Sequence, residues 1–247
     1  MARKEVMLEE FKELGYEILD SSQYSTLSSV MDLKCKSGHQ LRGSLHDVRK
    51  VSFVCGECQK AKYGGQIGEL NKKTGLRVVA IDAATENLGL ALFEDAQLVA
   101  YQFAQVNDKF NLIQRLSIIR DFVEEFVFGT WDADYLVLEN IQFQQYKGSE
   151  AYKNVSYYMA FKSLAMLQGI LLEVAEKNKK EHTLIPVNKW RSQFGINASK
   201  RGAAKQQAID KVMKLYSIET NDDVAEAILM GAWASDQIRE QKKEKLF

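Results

Sequence analysis

The chain has 247 residues, 46% of them hydrophobic, which is room for one large domain or a large and a small one. Lysine plus arginine and aspartate plus glutamate both number 33, which excludes a uniformly basic nucleic-acid coat or a solvating acidic chain. The balance conceals two opposed blocks: residues 82–139 hold 11 acidic against 3 basic residues, and residues 177–214 hold 10 basic against 2 acidic.

In chain order, the opening MARKEVMLEEFKEL reads as a charged amphipathic helix, without the apolar core of a secretory leader. The most apolar stretch, 157–175, is interrupted by Lys162, Gln168 and Glu173, so no membrane span is expected. All three cysteines fall in CKSGHQLRGSLHDVRKVSFVCGEC, residues 35–58. Cys35, His39, Cys55 and Cys58 make a Cys₃His set suited to a structural Zn²⁺. His46 is an alternative to His39, although Gly38 gives His39 the tighter ligand turn. A unit this small benefits from such a staple. Lys34, Lys36, Arg42, Arg49, Lys50, Lys60 and Lys62 around it suit DNA contact, with protein binding as the alternative. The reduced-thiol reading points to a cytoplasmic protein.

A glycine- and lysine-rich stretch follows, and the expected division is 1–62 as the zinc-binding module, 63–75 as linker and 76–247 as the main domain. In the main domain, Arg77–Ile81, Gly89–Phe93, Gln97–Phe103, Ala133–Leu138 and Thr183–Val187 read as strands. Helices are expected over 109–127, 150–177, 201–215 and 222–243. This order predicts a mixed α/β fold, a central sheet flanked by helices.

Two strands end on an acid: VVAIDA on Asp82 and YLVLEN on Glu139. Strand ends on one sheet edge bring such groups together. A third acidic group opens the last helix, where Asp222, Asp223 and Glu226 are spaced to share a face. Capping by Asn221 and Asp222 explains those acids equally well when they are taken alone. Together, converging carboxylates repel unless a cation lies between them. Mg²⁺ takes oxygen ligands, and two such ions assist phosphodiester hydrolysis by stabilising attack and departure.

VAIDAATENLGLAL, VLEN and NDDVAEAILMGA, in that order, resemble the RuvC group of Holliday junction resolvases, within the RNase H-like superfamily. IPVNKW and NASKRGAAKQQAIDKVMKLY fit between them, so the resemblance covers about 76–240. It implies an RNase H-like mixed sheet and a crossover junction endodeoxyribonuclease acting on branched DNA in recombination and repair. It implies two Mg²⁺ or Mn²⁺ per active site, held by Asp82, Glu139, Asp223 and Glu226, with Asp222 competing for the role of Asp223. Glu226 stands where the family usually has aspartate. Phe143, Tyr146 and Lys147, in the polar loop after Glu139, would stack on or contact unpaired bases, although Phe143 fits a core position as well. Lys189, Arg191, Lys200, Arg201 and Lys205 would contact phosphates. A homodimer is implied, and the helix 155–175, apolar around its circumference, offers a face for it. Two other readings remain open: a nuclease-derived module that only binds DNA or a partner, and an actin-like ATPase. The ATPase would need a glycine-rich phosphate loop where this chain has Ala83 and Ala84.

Overall fold

The structure is a computed structural model and describes residues 3–22, 24–49, 58, 63–70, 72–106, 110–142 and 153–244. Cys55, Phe143, Tyr146 and Lys147 lie outside the described residues.

Helix α1 (Arg3–Glu13) precedes a three-stranded antiparallel sheet, β1 (Tyr16–Ile18), β2 (Met31–Cys35) and β3 (Gln40–Gly43), followed by a short helix α2 (Leu45–Val48). Ser44 and Asp47 form a reciprocal capping box that starts α2. Phe11, Tyr24, Met31, Leu33, Leu45 and Val48 close a small core.

The second sheet has six strands in the order β4-β7-β6-β5-β8-β9. They are β4 (Gly65–Gln66), β5 (Arg77–Ala83), β6 (Asn87–Glu94), β7 (Gln97–Gln105), β8 (Tyr135–Glu139) and β9 (Glu181–Ile185). Strands β5, β6 and β7 form an antiparallel meander, whereas β8 runs parallel to β5 and β9 parallel to β8. Parallel pairing requires crossovers. The first is α3 (Leu112–Phe122) continuing into a π-helix (Val123–Thr130), and the second is α4 (Lys153–Lys177). Helices α5 (Val187–Gln193), α6 (Arg201–Tyr216) and α7 (Asp222–Glu244) complete the chain. This is the mixed central sheet expected, with helices on both faces.

Strand periodicity sorts the two faces. Val79, Ile81, Leu88, Leu90 and Leu92 point to α3, the π-helix and α4, where Leu116, Ile119, Phe122, Leu167 and Leu171 meet them. Val78, Ala80, Ala91, Phe93 and Val137 point the other way, against Trp190 of α5, Val212 of α6 and Ala225, Ile228 and Leu229 of α7. Asp82 and Glu139 share the parity of the second set, so both belong to the face that α7 covers.

Three expectations change. The segment expected as a linker, 63–75, is bonded into the second sheet. Gly65 and Gln66 pair with β7, and Tyr63 meets the Phe103 ring edge-on. A buried ion pair secures its end: Arg77 Nε donates to Glu94 at 2.8 Å, and the guanidinium also donates to the carbonyls of Trp131 and Leu70, both at 3.0 Å. The Glu94 carboxylate in turn accepts from the backbone of Thr74 and Gly75. The glycines and lysines that mark a linker thus occur where backbone pairing and a charged anchor decide the structure. The helix expected over 109–127 is α-helical only to Phe122 and then widens to π geometry. Helix α5 was not expected, because a short turn after Pro186 carries too few residues for a readable period.

Among the described residues, Tyr157–Lys177 of α4 is long and apolar enough to cross a membrane by length and composition. One stripe of that helix, Leu167, Leu171, Val174 and Ala175, is buried in the core. Val155, Tyr158 and Met159 stand exposed near its start.

Candidate active site: five carboxyls at one sheet edge

Asp82 is the penultimate residue of β5. A hairpin closed by Ala84 N–H donating to the Asn87 carbonyl returns the chain directly into β6. Glu139 ends the neighbouring parallel strand, in which Ile81 pairs with Leu138. The two carboxylates therefore emerge at the same end of adjacent strands. Asn221 caps α7: its side chain accepts from Val224 N–H at 3.0 Å and its carbonyl from Ala225 N–H. Capping is therefore done by Asn221, and the side chains of Asp222 and Asp223 are left to other partners.

The electrostatics tie the acids together. Burial, then the charges of Glu226, Glu139 and Asp223, push Asp82 well above the usual carboxylate range. Burial, then the charge of Glu226, pushes Glu139 up to about 7, against the pull of Arg191, Trp190 and Arg201. Burial and the neighbouring Asp222 raise Asp223. Asp222 differs: its partial burial is outweighed by the Lys205 ammonium, which holds it below its ordinary value. Asp222 bonds Lys205, and Asp223 lies 3.7 Å from the same ammonium. Glu226 is buried and receives Arg191 Nη2 at 2.5 Å.

Arg191 and Lys205, expected as phosphate contacts, are thus turned inward onto the acids. Lys189, Lys200 and Arg201 are exposed. Burial is the main cause of the raised values of Asp82, Glu139 and Asp223, and the negative charge left over beside Arg191, Lys205 and Arg201 adds to it. The donors are all hard oxygens, the kind Mg²⁺ or Mn²⁺ takes, but no three of these acids bring their oxygens within 4.8 Å of one another.

Trp190 closes the segment IPVNKW but has no role expected from the sequence. It is fully buried beneath the site, its indole N–H completes no hydrogen bond, and it lies close enough to Glu139 to favour that carboxylate's charged form. The Arg191 guanidinium lies 5.1 Å from the centre of the Trp190 ring. Trp190 thus packs beside both Glu139 and Arg191, with the guanidinium in reach of its ring.

A separate donor group lies on the β2–β3 hairpin. Cys35 Sγ is 3.7 Å from both His39 Nδ1 and Cys58 Sγ, and His39 Nδ1 is 3.3 Å from Cys58 Sγ. Gly38, at φ +85°, makes the turn that puts Cys35 and His39 side by side, with Cys35 N–H donating to the His39 carbonyl at 3.0 Å. Among the described residues, these three are the group whose donors all lie within 4.8 Å of one another. Zinc bonds of ~2.3 Å to sulfur and ~2.05 Å to nitrogen give tetrahedral edges of roughly 3.8 Å between sulfurs and roughly 3.6 Å between sulfur and nitrogen. The observed triangle is close to one face of such a tetrahedron. His46 lies on α2 and is not part of this group.

No protein-family model and no curated protein matches the chain. Among solved structures it is similar to Thermus thermophilus RuvC, with TM-score 0.49 and 15% identity, covering 67% of this chain and 97% of that one. It is also similar to T. thermophilus RuvC in complex with Holliday junction substrate, with TM-score 0.47, 14% identity and coverage of 67% and 96%. The yeast mitochondrial Holliday junction resolvase gives TM-score 0.44, 14% identity and coverage of 69% and 82%.

Proposed function

We propose that the protein is a Mg²⁺- or Mn²⁺-dependent, structure-selective DNA endonuclease that resolves four-way junctions by paired nicks. The observation that carries this reading is that α7 brings Asp223 and Glu226 near enough to the strand-end acids Asp82 and Glu139 for their charges to act on one another, with Arg191 and Lys205 as the cations bonded among them. The ordered motifs VAIDAATENLGLAL, VLEN and NDDVAEAILMGA support it from the sequence.

Asp82, Glu139, Asp223 and Glu226 would hold the ions. When bound, the metal supplies charge neutralisation and a lowered water pKa for phosphodiester hydrolysis. Asp222 stays with Lys205 and keeps that ammonium at the site's rim. Exposed Lys189, Lys200 and Arg201 offer phosphate contacts that position a strand without reading its sequence. Val155, Tyr158 and Met159 fall on one face of α4, and a second copy of the chain would cover them. Cys35, His39 and Cys58 would hold one structural Zn²⁺, with Cys55 as the fourth donor from the sequence.

The ion pairs Arg191–Glu226 and Lys205–Asp222 favour one second reading, a module that binds branched DNA without cutting it. Incubating the protein with four-way junction, fork, duplex and RNA–DNA hybrid in Mg²⁺ separates the two. Paired nicks in the four-way junction support the resolvase. Tight junction binding with no product in Mg²⁺ or Mn²⁺ favours the binding module.

A further inference from the structure

Residue 89 faces Asp82 directly in the antiparallel β5–β6 pair. Directly opposed residues put their side chains on the same face, so a side chain at 89 would stand beside the Asp82 carboxylate. The residue is Gly89, and the space is filled by the backbone of α7. A Cβ built on Gly89 would overlap the carbonyl of Asp223 and lie against Val224 N. These are main-chain atoms of the first helical turn and have no rotamer to yield. The same helix makes a second close approach two turns later. There a Cβ on Gly231 would meet Phe93 Cε2 at 2.6 Å and Ala80 Cβ at 3.0 Å.

We infer that Gly89 is a positioning residue that sets the distance between Asp82 on the sheet and the acids Asp223 and Glu226 on α7, so that the absence of a side chain at 89 determines metal affinity. The inference rests on the metal-site reading above. Asp223 donates its backbone to the contact and its carboxylate to the site, so any displacement forced at 89 moves the carboxylate with it. Gly231 contacts the sheet on the same helix, two turns beyond Asp223 and through side-chain rather than main-chain atoms, and serves as the matched control.

The test measures Mn²⁺ binding by titration calorimetry and thermal melting in chelator for the full-length wild type, Gly89→Ala, Gly231→Ala and Asp82→Asn. Losing a group that orients metal ligands costs affinity on the order of tenfold to a hundredfold. We expect Gly89→Ala to weaken Mn²⁺ by roughly that factor. Gly231→Ala should lower the melting temperature comparably in chelator while keeping wild-type Mn²⁺ affinity. Adding Asp223→Glu to Gly89→Ala, which restores reach by one methylene, should recover part of the loss. Equal Mn²⁺ affinity in wild type and Gly89→Ala overturns the inference while leaving the metal site standing. So does equal weakening by both glycine variants, or failure of Gly89→Ala to fold where Gly231→Ala folds. Wild type that binds Mn²⁺ no better than Asp82→Asn overturns the metal-site reading itself, and the inference with it.

Discussion

Replacing Glu139 by glutamine should make the metal-free protein more stable while destroying its activity. Glu139 is held at about 7 against an ordinary value of 4.5. The folded state therefore binds a proton that the unfolded chain releases between those two values. Stability falls as pH rises through that window and is lowest, as far as this group is concerned, above pH 7. The difference between the two values corresponds to about 3 kcal/mol. Glutamine keeps the shape and removes the charge, but it gives up the attraction of Arg191, so a gain of roughly 1–3 kcal/mol is expected at pH 8. In a chain of this size that is a rise of roughly 2–10 °C in melting temperature. The assay is thermal melting of wild type and Glu139→Gln in chelator at pH 8 and pH 5, repeated with Mg²⁺. The gain should be present at pH 8, shrink at pH 5 where wild-type Glu139 is protonated, and shrink again with Mg²⁺, which stabilises only the wild type. A Glu139→Gln protein that melts at or below wild type at pH 8 in chelator would refute the burial and negative crowding assigned to Glu139.

Asp82→Asn should abolish cleavage of a synthetic four-way junction in Mg²⁺ and leave junction binding by gel shift nearly unchanged; cutting at the wild-type rate would remove Asp82 from the metal site. Elemental analysis of reductively purified protein should find one zinc per chain, lost in Cys35→Ser, and stripping it with a chelator should lower the melting temperature of the N-terminal unit. Zinc-free wild type would end the zinc assignment. Arg77→Met strands the buried Glu94 carboxylate and should cost about 3–5 kcal/mol in chemical denaturation, whereas Arg77→Met with Glu94→Leu should cost less; a double loss equal to the sum of the two single losses would mean the pair is not coupled. Against the cost of burial, hydrogen bonds from Thr74, Arg77 and Gly75 hold Glu94 at about 2. Its contribution is therefore complete above its ordinary 4.5 and should decline as pH falls from there toward 2, opposite in sense to Glu139 and separable from it in Glu94→Gln.

Much of the site was legible because it depends on local pattern. The apolar runs in VVAIDA and YLVLEN, each closing on an acid, mark Asp82 and Glu139 as strand ends, and the i, i+3 and i+4 spacings place Asp222, Asp223 and Glu226 on one side of α7. These relations follow from backbone geometry and survive whatever the rest of the chain does. The clustering of Cys35 and His39 around Gly38 is likewise local, a four-residue turn that the sequence names outright.

Tertiary contacts decided the remainder. Lys205 and Arg191 look like surface cations in a basic block, and only the approach of α5 and α6 to α7 turns them onto Asp222, Asp223 and Glu226, where an excess of buried negative charge draws them in. The stretch 63–75 has a linker's composition, yet β7 offers an unpaired edge and Arg77 with Glu94 a buried anchor, so it joins the sheet. Trp190 could have been any core aromatic until its indole N–H was placed beside Glu139. Gly89 stands for all of these: in the sequence it is a small residue in an apolar run, and its meaning comes from a helix more than 130 residues later resting on its α-carbon. A single chain dictates which face each residue occupies; which neighbour fills the space on that face is settled only when distant elements compete for it.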